Sequence, residues 1–410
     1  MKRKITKVNF LNYSILIPYL ILSAIGIVMV FSVTVPYQLA KNQSPYKLTI
    51  MQGIFIIFSF LIMFLIYKMK INFFKKKKII LFCLVILIFA LIYTRFGPGV
   101  EVNGARRWIK IPGLGTVQPA EFVKIYIVWY LAVIFSNKQS EIVQKDIGAL
   151  FKGNNIFQKI IGGWKLPIYF LIIMEVIMPD LGSTVIMIFI TITMICASGI
   201  SWKWFSYFIK ISIIGTLAFI SFLYKVNGNV IPGHYTNARF KAMVDPFNGL
   251  DSYGHQIANS YYAVVNGGWF GRGLGNSIQK NGFLPEAHTD FIFSIILEEL
   301  GVIGGTLVLA LFFFLTIRIL DVGLKANDSF NSMICIGISG MLIMSAFINI
   351  GGAFGLIPES GVTFPLFSQG GSSFLVISIG ISLTLNISAD EKRKQIINDL
   401  ILKPIYKHDN

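Results

Sequence analysis

Charge is what this chain lacks first. Asp, Glu, Lys and Arg make up only 13% of its 410 residues, against roughly 25% in a soluble globular chain. With 55% hydrophobic residues and a mean hydropathy of +0.70, an ordinary soluble fold is excluded. Cysteine is scarce too. Cys83, Cys196 and Cys335 each lie inside an apolar run, so neither a disulfide framework nor a metal-ligand spacing is expected. Negative charge is scarcer than positive: 19 acidic residues face 36 basic ones, for a net charge of +17. Such an excess can mark nucleic-acid binding. Here the Lys and Arg lie mostly between apolar runs, so the charge reads as membrane topology and no nucleic acid is expected. GRGLGNS lacks the Lys-Ser/Thr pair of a P-loop and reads as a turn. His255 and His288 have no metal-ligand spacing between them, so no metal site is assigned.

What is present is a succession of apolar runs. A membrane-crossing helix needs roughly 20 mainly apolar residues. Ten candidates lie near 14–34, 49–67, 79–95, 119–136, 165–179, 183–199, 204–225, 290–318, 331–351 and 370–389. They follow one another closely, so the expected fold is an all-α polytopic integral membrane protein, one domain over 1–410. The basic start MKRKITK precedes a run too long for a signal peptide and reads as leading into an uncleaved first span. Positive residues favour cytoplasmic segments. With the N-terminus (1–13) inside, KMKINFFKKKK, the 137–165 and 318–330 loops and the tail (390–410) are inside and basic. Ten spans put both termini in the cytoplasm, with one long extracellular loop, 226–289, between helices 7 and 8. Two outer loops break the rule. One carries Arg106, Arg107 and Lys110; the other carries Arg239, Lys241, Arg272 and Lys280. Misplaced cations of this kind suit a bound anion better than plain loop charge.

Several stretches bear chemistry. Gln118-Pro119 marks a helix start. Glu121 and Lys124 then share one helical face, either as a structural ion pair or at a binding site. Asp180 of MPDLGS is a helix cap or a site residue. In GFLPEAHTDFIF, Asp290 stands at the expected water–membrane boundary. Partial desolvation there raises a carboxylate's pKa towards a general base's range; alternatively Thr289 or Asp290 caps the next helix. Glu298 and Glu299 lie deeper in that run and should face protein or water. FGLIPESGVTFPLFSQGGSSFLV is too rich in Pro and Gly for regular helix. Backbone of that kind at membrane depth is buried or lines a cavity, with Ser368, Gln369, Ser372 and Ser373 as candidate walls.

NGARRWI, QPAEFVKI, PDLGS, GRGLGNSIQK, LPEAHTDFIF, EELG and SQGGSS, in this order over ten spans, resemble the SEDS family (shape, elongation, division and sporulation). The resemblance runs from LNYSILIPYL to LNISAD. GVTFPLFSQGG and LNYSILIPYL look more like division-type members from Gram-positive cocci than elongation-type members, which typically carry PLPFVSYGG. Leu297, Met178, Ser183 and the PESG form of the common PxTG depart from the pattern, but none removes a proposed catalytic group. The resemblance implies a peptidoglycan glycosyltransferase that polymerises lipid II in septal cell-wall synthesis by inverting hexosyl transfer from an undecaprenyl-pyrophosphate donor. Alternatives are an elongation-type polymerase, a lipid II flippase or a divisome scaffold. The resemblance also implies a class B penicillin-binding protein as partner, other division proteins, and a place in the cytoplasmic membrane at the septum. It assigns Asp290 as catalytic and implicates Trp108, Glu121, Lys124 and Asp180.

Pyrophosphate is a good leaving group that needs its charge neutralised, a task for Arg106, Arg107, Lys110 and Arg239. A divalent cation (Mg2+ or Mn2+) could share that charge, though no site for one is visible. Glu286 and His288 beside Asp290, with Ser368, Gln369 and Ser372, complete the expected substrate-binding set.

Overall fold

The computed structural model describes residues 10–402, apart from 103–104, 113–114, 153–154, 156–157, 159, 231–235 and 251. MKRKITK and the end of the basic tail lie outside the described residues. Each of the ten expected spans corresponds to a helix: α1 (Tyr13–Ala40), α2 (Lys47–Lys68), α3 (Lys77–Phe96), α4 (Pro119–Asn137), α5 (Lys165–Ile177), α6 (Leu181–Ala197), α7 (Trp202–Lys225), α10 (Ile292–Leu324), α11 (Ser329–Ala353) and α12 (Gly371–Leu402). The long loop folds in part, into α8 (Thr236–Val244) and α9 (His255–Gly267). Among the described residues, eight helices are long and apolar enough to cross a membrane. The other two of the ten are α5 and α6, at 13 and 17 residues. At 1.5 Å per residue both fall short of a hydrocarbon core about 30 Å thick.

The helices are apolar nearly all round, so position in the bundle, not amphipathicity, decides which are central. α11 packs against α4, α6 and α10, while α12 packs against α2. Most of α4, α11 and α12 is buried, whereas α2, α3 and especially α7 present their apolar side chains outward, as lipid-facing helices do. The loop before α4 holds something the sequence did not announce. Its residues form a small antiparallel sheet in the order β1 (Val100–Val102), β2 (Ala105–Ile111), β3 (Gly115–Val117), with Lys110 opposite Thr116.

α10 is broken at Gly301, whose φ of 73° and ψ of 177° interrupt the helix. The turn at Gly271 fits into that break: its backbone lies so close that a Cβ on Gly301 would stand 2.4 Å from the Gly271 nitrogen. Val302 and Ile303 N–H groups, freed by the break, donate to Gly268 and Trp269 carbonyls. GRGLGNS is therefore a packing turn. The end of α1 and the loops after α3, α5, α9 and α11 meet at one end of the bundle: the Tyr37 and His288 rings lie 4.7 Å apart, tilted by 35°, Arg107 donates to the Pro179 carbonyl, and Gly361 lies against Arg107 and Asp290. At the other end, Lys75 and Asp328 pair at 2.6 Å.

Candidate active site

The loops at the first end enclose a polar cavity of about 440 Å³. Asp290 lies in it, one residue before the N-cap of α10, Phe291. Asp290 does not cap the helix, and no side-chain cap is made there. Its backbone is held from several sides. Glu286 sits at φ 53°, a conformation costly for a residue with a Cβ. The bend turns its carbonyl to accept from the N–H groups of Thr289, Asp290 and Phe291. The carbonyl of His288 accepts from Gln369 N–H at 2.8 Å, that of Thr289 from the Ser368 hydroxyl, and that of Asp290 from Asn349 Nδ2 at 2.8 Å. Asn349 spans to the Val362 carbonyl at 2.7 Å, so one amide joins both edges of the cavity floor.

The Asp290 side chain is treated differently. Among the described residues no donor reaches its carboxylate. Burial pushes its pKa up from the ordinary 3.8 to about 8, helped by the negative charges of Glu359 and Glu286 and opposed by Arg239 and Arg107. Burial also lowers the pKa of His288, opposed by the negative charge of Glu286.

Arg107 faces Asp290 across Gly361: a Cβ on that glycine would lie 3.6 Å from Arg107 Nη1 and 3.7 Å from Asp290 Oδ2. A bulky residue there would separate the two charges. Arg107 is buried and 3.7 Å from Asp180. Asp180 meanwhile caps α6, accepting from Ser183 N–H at 3.1 Å, and accepts from Gln118 Nε2 at 3.0 Å. Gln118 N–H in turn donates to the Ser372 hydroxyl at 3.1 Å. Glu121 and Lys124 form a buried pair at 2.6 Å, and Glu121 reaches the cavity wall.

The cavity brings together Asp290, Arg107, Trp108, Glu121, Arg239, Glu286, His288, Gln369 and Ser372. Lys124, Asp180 and Ser368 stand behind that wall, each holding a lining residue or its backbone. Arg106 and Lys110 are exposed, Arg106 paired with Glu101 at 3.0 Å. Strand alternation separates Arg106 from Arg107, a distinction invisible until the stretch is known to be a strand. Sequence reasoning missed Tyr37, Gln52, Phe55, Gln118 and Thr363 in the lining, and Asn349 beneath it. Gln118 carried a signal, standing beside the recognised Pro119; Asn349, within an apolar helix, carried only its polarity. Among the described residues no group of three His, Cys, Asp or Glu side chains could hold a metal ion; a cation shared with a substrate pyrophosphate would need only one or two carboxylates.

Residues 13–393 match the profile of the cell cycle protein family of FtsW, RodA and SpoVE. The chain belongs to that family. It is 57% identical over 401 residues to a probable peptidoglycan glycosyltransferase FtsW of Lactococcus lactis, covering 96% of both chains. It is 36% identical to the protein of the same name from Bacillus subtilis, covering 94% of this chain and 93% of that one. Among solved structures it resembles a chain of a peptidoglycan synthase complex, with a TM-score of 0.68 at 22% identity over 93% of this chain and 98% of the other. It also resembles RodA of Thermus thermophilus, with a TM-score of 0.62 at 20% identity over 93% and 97%. These likenesses fit the SEDS resemblance of the motifs and the fold of a multi-pass membrane protein.

Proposed function

We propose that the chain is a peptidoglycan glycosyltransferase that polymerises lipid II, with Asp290 as its general base. The observation that carries this reading is a carboxylate with no hydrogen-bond donor among the described residues, in a cavity that also holds two arginines. The relatives named peptidoglycan glycosyltransferase FtsW support the substrate class. The chemistry then divides between the two kinds of charge. An acceptor sugar hydroxyl is a weak nucleophile. Asp290 takes its proton as the oxygen bonds to the anomeric carbon of the donor. The bond from that carbon to the pyrophosphate oxygen breaks, and the charge left on pyrophosphate meets Arg107 and Arg239. The back-side approach of the hydroxyl inverts the anomeric carbon. One carboxylate suffices because the leaving group needs no protonation, unlike the sugar oxygen released by most glycoside hydrolases. Trp108, in the cavity lining, offers an aromatic face to a sugar ring.

The basic loops place the opposite end of the bundle in the cytoplasm, so this cavity opens outside the cytoplasmic membrane. A prenyl tail stays in lipid while the sugars reach Asp290. The likeness to a chain of a peptidoglycan synthase complex supports a class B penicillin-binding protein as partner. The FtsW names of the relatives support a septal role among the division proteins. The direct test is to incubate the purified protein, with and without that transpeptidase, with lipid II and to separate the products on a gel. Glycan ladders from the wild type and none from Asp290→Asn are expected. Equal ladders from both would remove Asp290 from the chemistry. No ladder from a folded, partner-bound wild type would favour a flippase or a scaffold.

A further inference from the structure

Arg239 lines two cavities. Besides the one described, it shares with Glu359, Tyr253, His255 and Gln256 a second hollow of about 430 Å³. Glu359 belongs to PESG in the connection from α11 to α12, and that segment is firmly placed. A Cβ on Gly352 would stand 3.6 Å from the Glu359 Cα, and one on Gly182 would stand 2.8 Å from the Ser360 Cβ. Two residues on, Gly361 (φ 74°) lies beside both Arg107 and Asp290. With its amide turned to donate, Gln256 reaches both Glu359 oxygens at 2.6 and 2.9 Å. A neutral amide holds this carboxylate without cancelling its charge.

We propose that Glu359 is a positioning residue that sets the basicity of Asp290: fixed on the far side of Arg239, its charge offsets the arginine's pull on the catalytic carboxylate. The inference rests on the reading of Asp290 as the base. Without a counterweight, Arg107 and Arg239 would keep Asp290 ionised but weakly basic, since a cation that favours the carboxylate form makes it a poorer proton acceptor. The titratable and charged groups that share the cavity with Asp290 are Glu286 and His288 from its own loop, Arg107 from β2, Glu121 from α4 and Arg239 from α8, while Glu359 of the α11–α12 connection acts from beyond Arg239. Those around Glu359 are Arg239, Glu286, and His255 and Gln256 of α9. After burial, Glu359 is the largest influence raising the Asp290 pKa. The same two arginines can thereby bind pyrophosphate while the base between them stays strong.

The test is the pH dependence of kcat/KM for lipid II polymerisation by the partner-bound protein. Glu359→Gln removes the charge and keeps the size. Its acidic limb is expected to move to lower pH by about half a unit or more, the scale of one nearby charge. Glu359→Asp keeps the charge and should keep the wild-type limb. Glu359→Thr, neutral and smaller, should reproduce the shift if the Gln variant folds poorly. A limb unmoved in both neutral variants would overturn the proposal. So would an equal shift in the Asp variant, which would trace the effect to packing. Asp290→Asn, run in parallel, separates the two claims. If it stays active, the base assignment falls. If it is inactive while the neutral Glu359 variants keep the wild-type limb, only the role of Glu359 falls.

Discussion

Asp290 and the Glu298-Glu299 pair lie within ten residues of one another, and the protein treats them in opposite ways. Glu298 accepts from the Ser277 hydroxyl and from the N–H groups of Ile278 and Gln279. Glu299 pairs with Lys280 at 2.7 Å and accepts from Ser32 at 2.6 Å. Both carboxylates have donors, though Glu299 Oε2 has no partner, and they hold the GRGLGNSIQK turn against the break in α10. Asp290 receives no such donor; only its backbone is held. A carboxylate given donors fixes structure, while one denied them in a half-buried, desolvated cavity is driven towards the neutral acid and becomes a stronger base when ionised.

The sharpest way to break this contrast is substitution on each side of it. Asp290→Asn should lower the polymerisation rate by about 10²–10⁴-fold, the range of a lost general base, with little change in melting temperature, because no hydrogen bond to the carboxylate is lost. A large drop in melting temperature would move Asp290 into the structural class. Lys280→Met should do the reverse. It strands Glu299, which is fully buried, and breaking a buried pair costs about 3–5 kcal/mol. Thermal unfolding in detergent reads that loss, while activity per folded molecule should change far less than with Asp290→Asn.

Smaller effects refine the picture. Arg107→Lys keeps the charge but loses the planar fork that contacts the Pro179 carbonyl and Asp180. A drop of about tenfold in kcat/KM is expected, read from initial rates at varied lipid II. Arg106→Ala removes an exposed pair of little energetic weight and should leave rates within about twofold. Equal losses at 106 and 107 would contradict the separation of these neighbours by strand alternation.

Most of the architecture was legible in the sequence because lipid demands long apolar helices and the runs are plain. The small sheet was not, since three short strands in a loop leave no period strong enough to read. For the same reason Arg106, Arg107 and Lys110 looked equivalent. The assignment of Asp290 rested on the resemblance its motif carries, and its position at the boundary allowed two roles. The structure removes the cap and leaves the carboxylate without donors. Asp180 went the other way: of the two roles open to it, the cap is made, and its carboxylate also lies 3.7 Å from Arg107. Asn349 escaped notice because a polar residue inside a span says that it has partners without saying which.

The pH profile of polymerisation tests the central claim most directly, with wild type and Asp290→Asn compared between about pH 5 and 10. A base whose pKa is raised to about 8 is mostly protonated below that value. The wild-type rate should therefore climb about tenfold per unit at low pH and level off above about 8, while the variant stays low and flat. A wild-type limb near an ordinary carboxylate's pKa of about 4, or a variant that keeps the wild-type profile, would contradict the account.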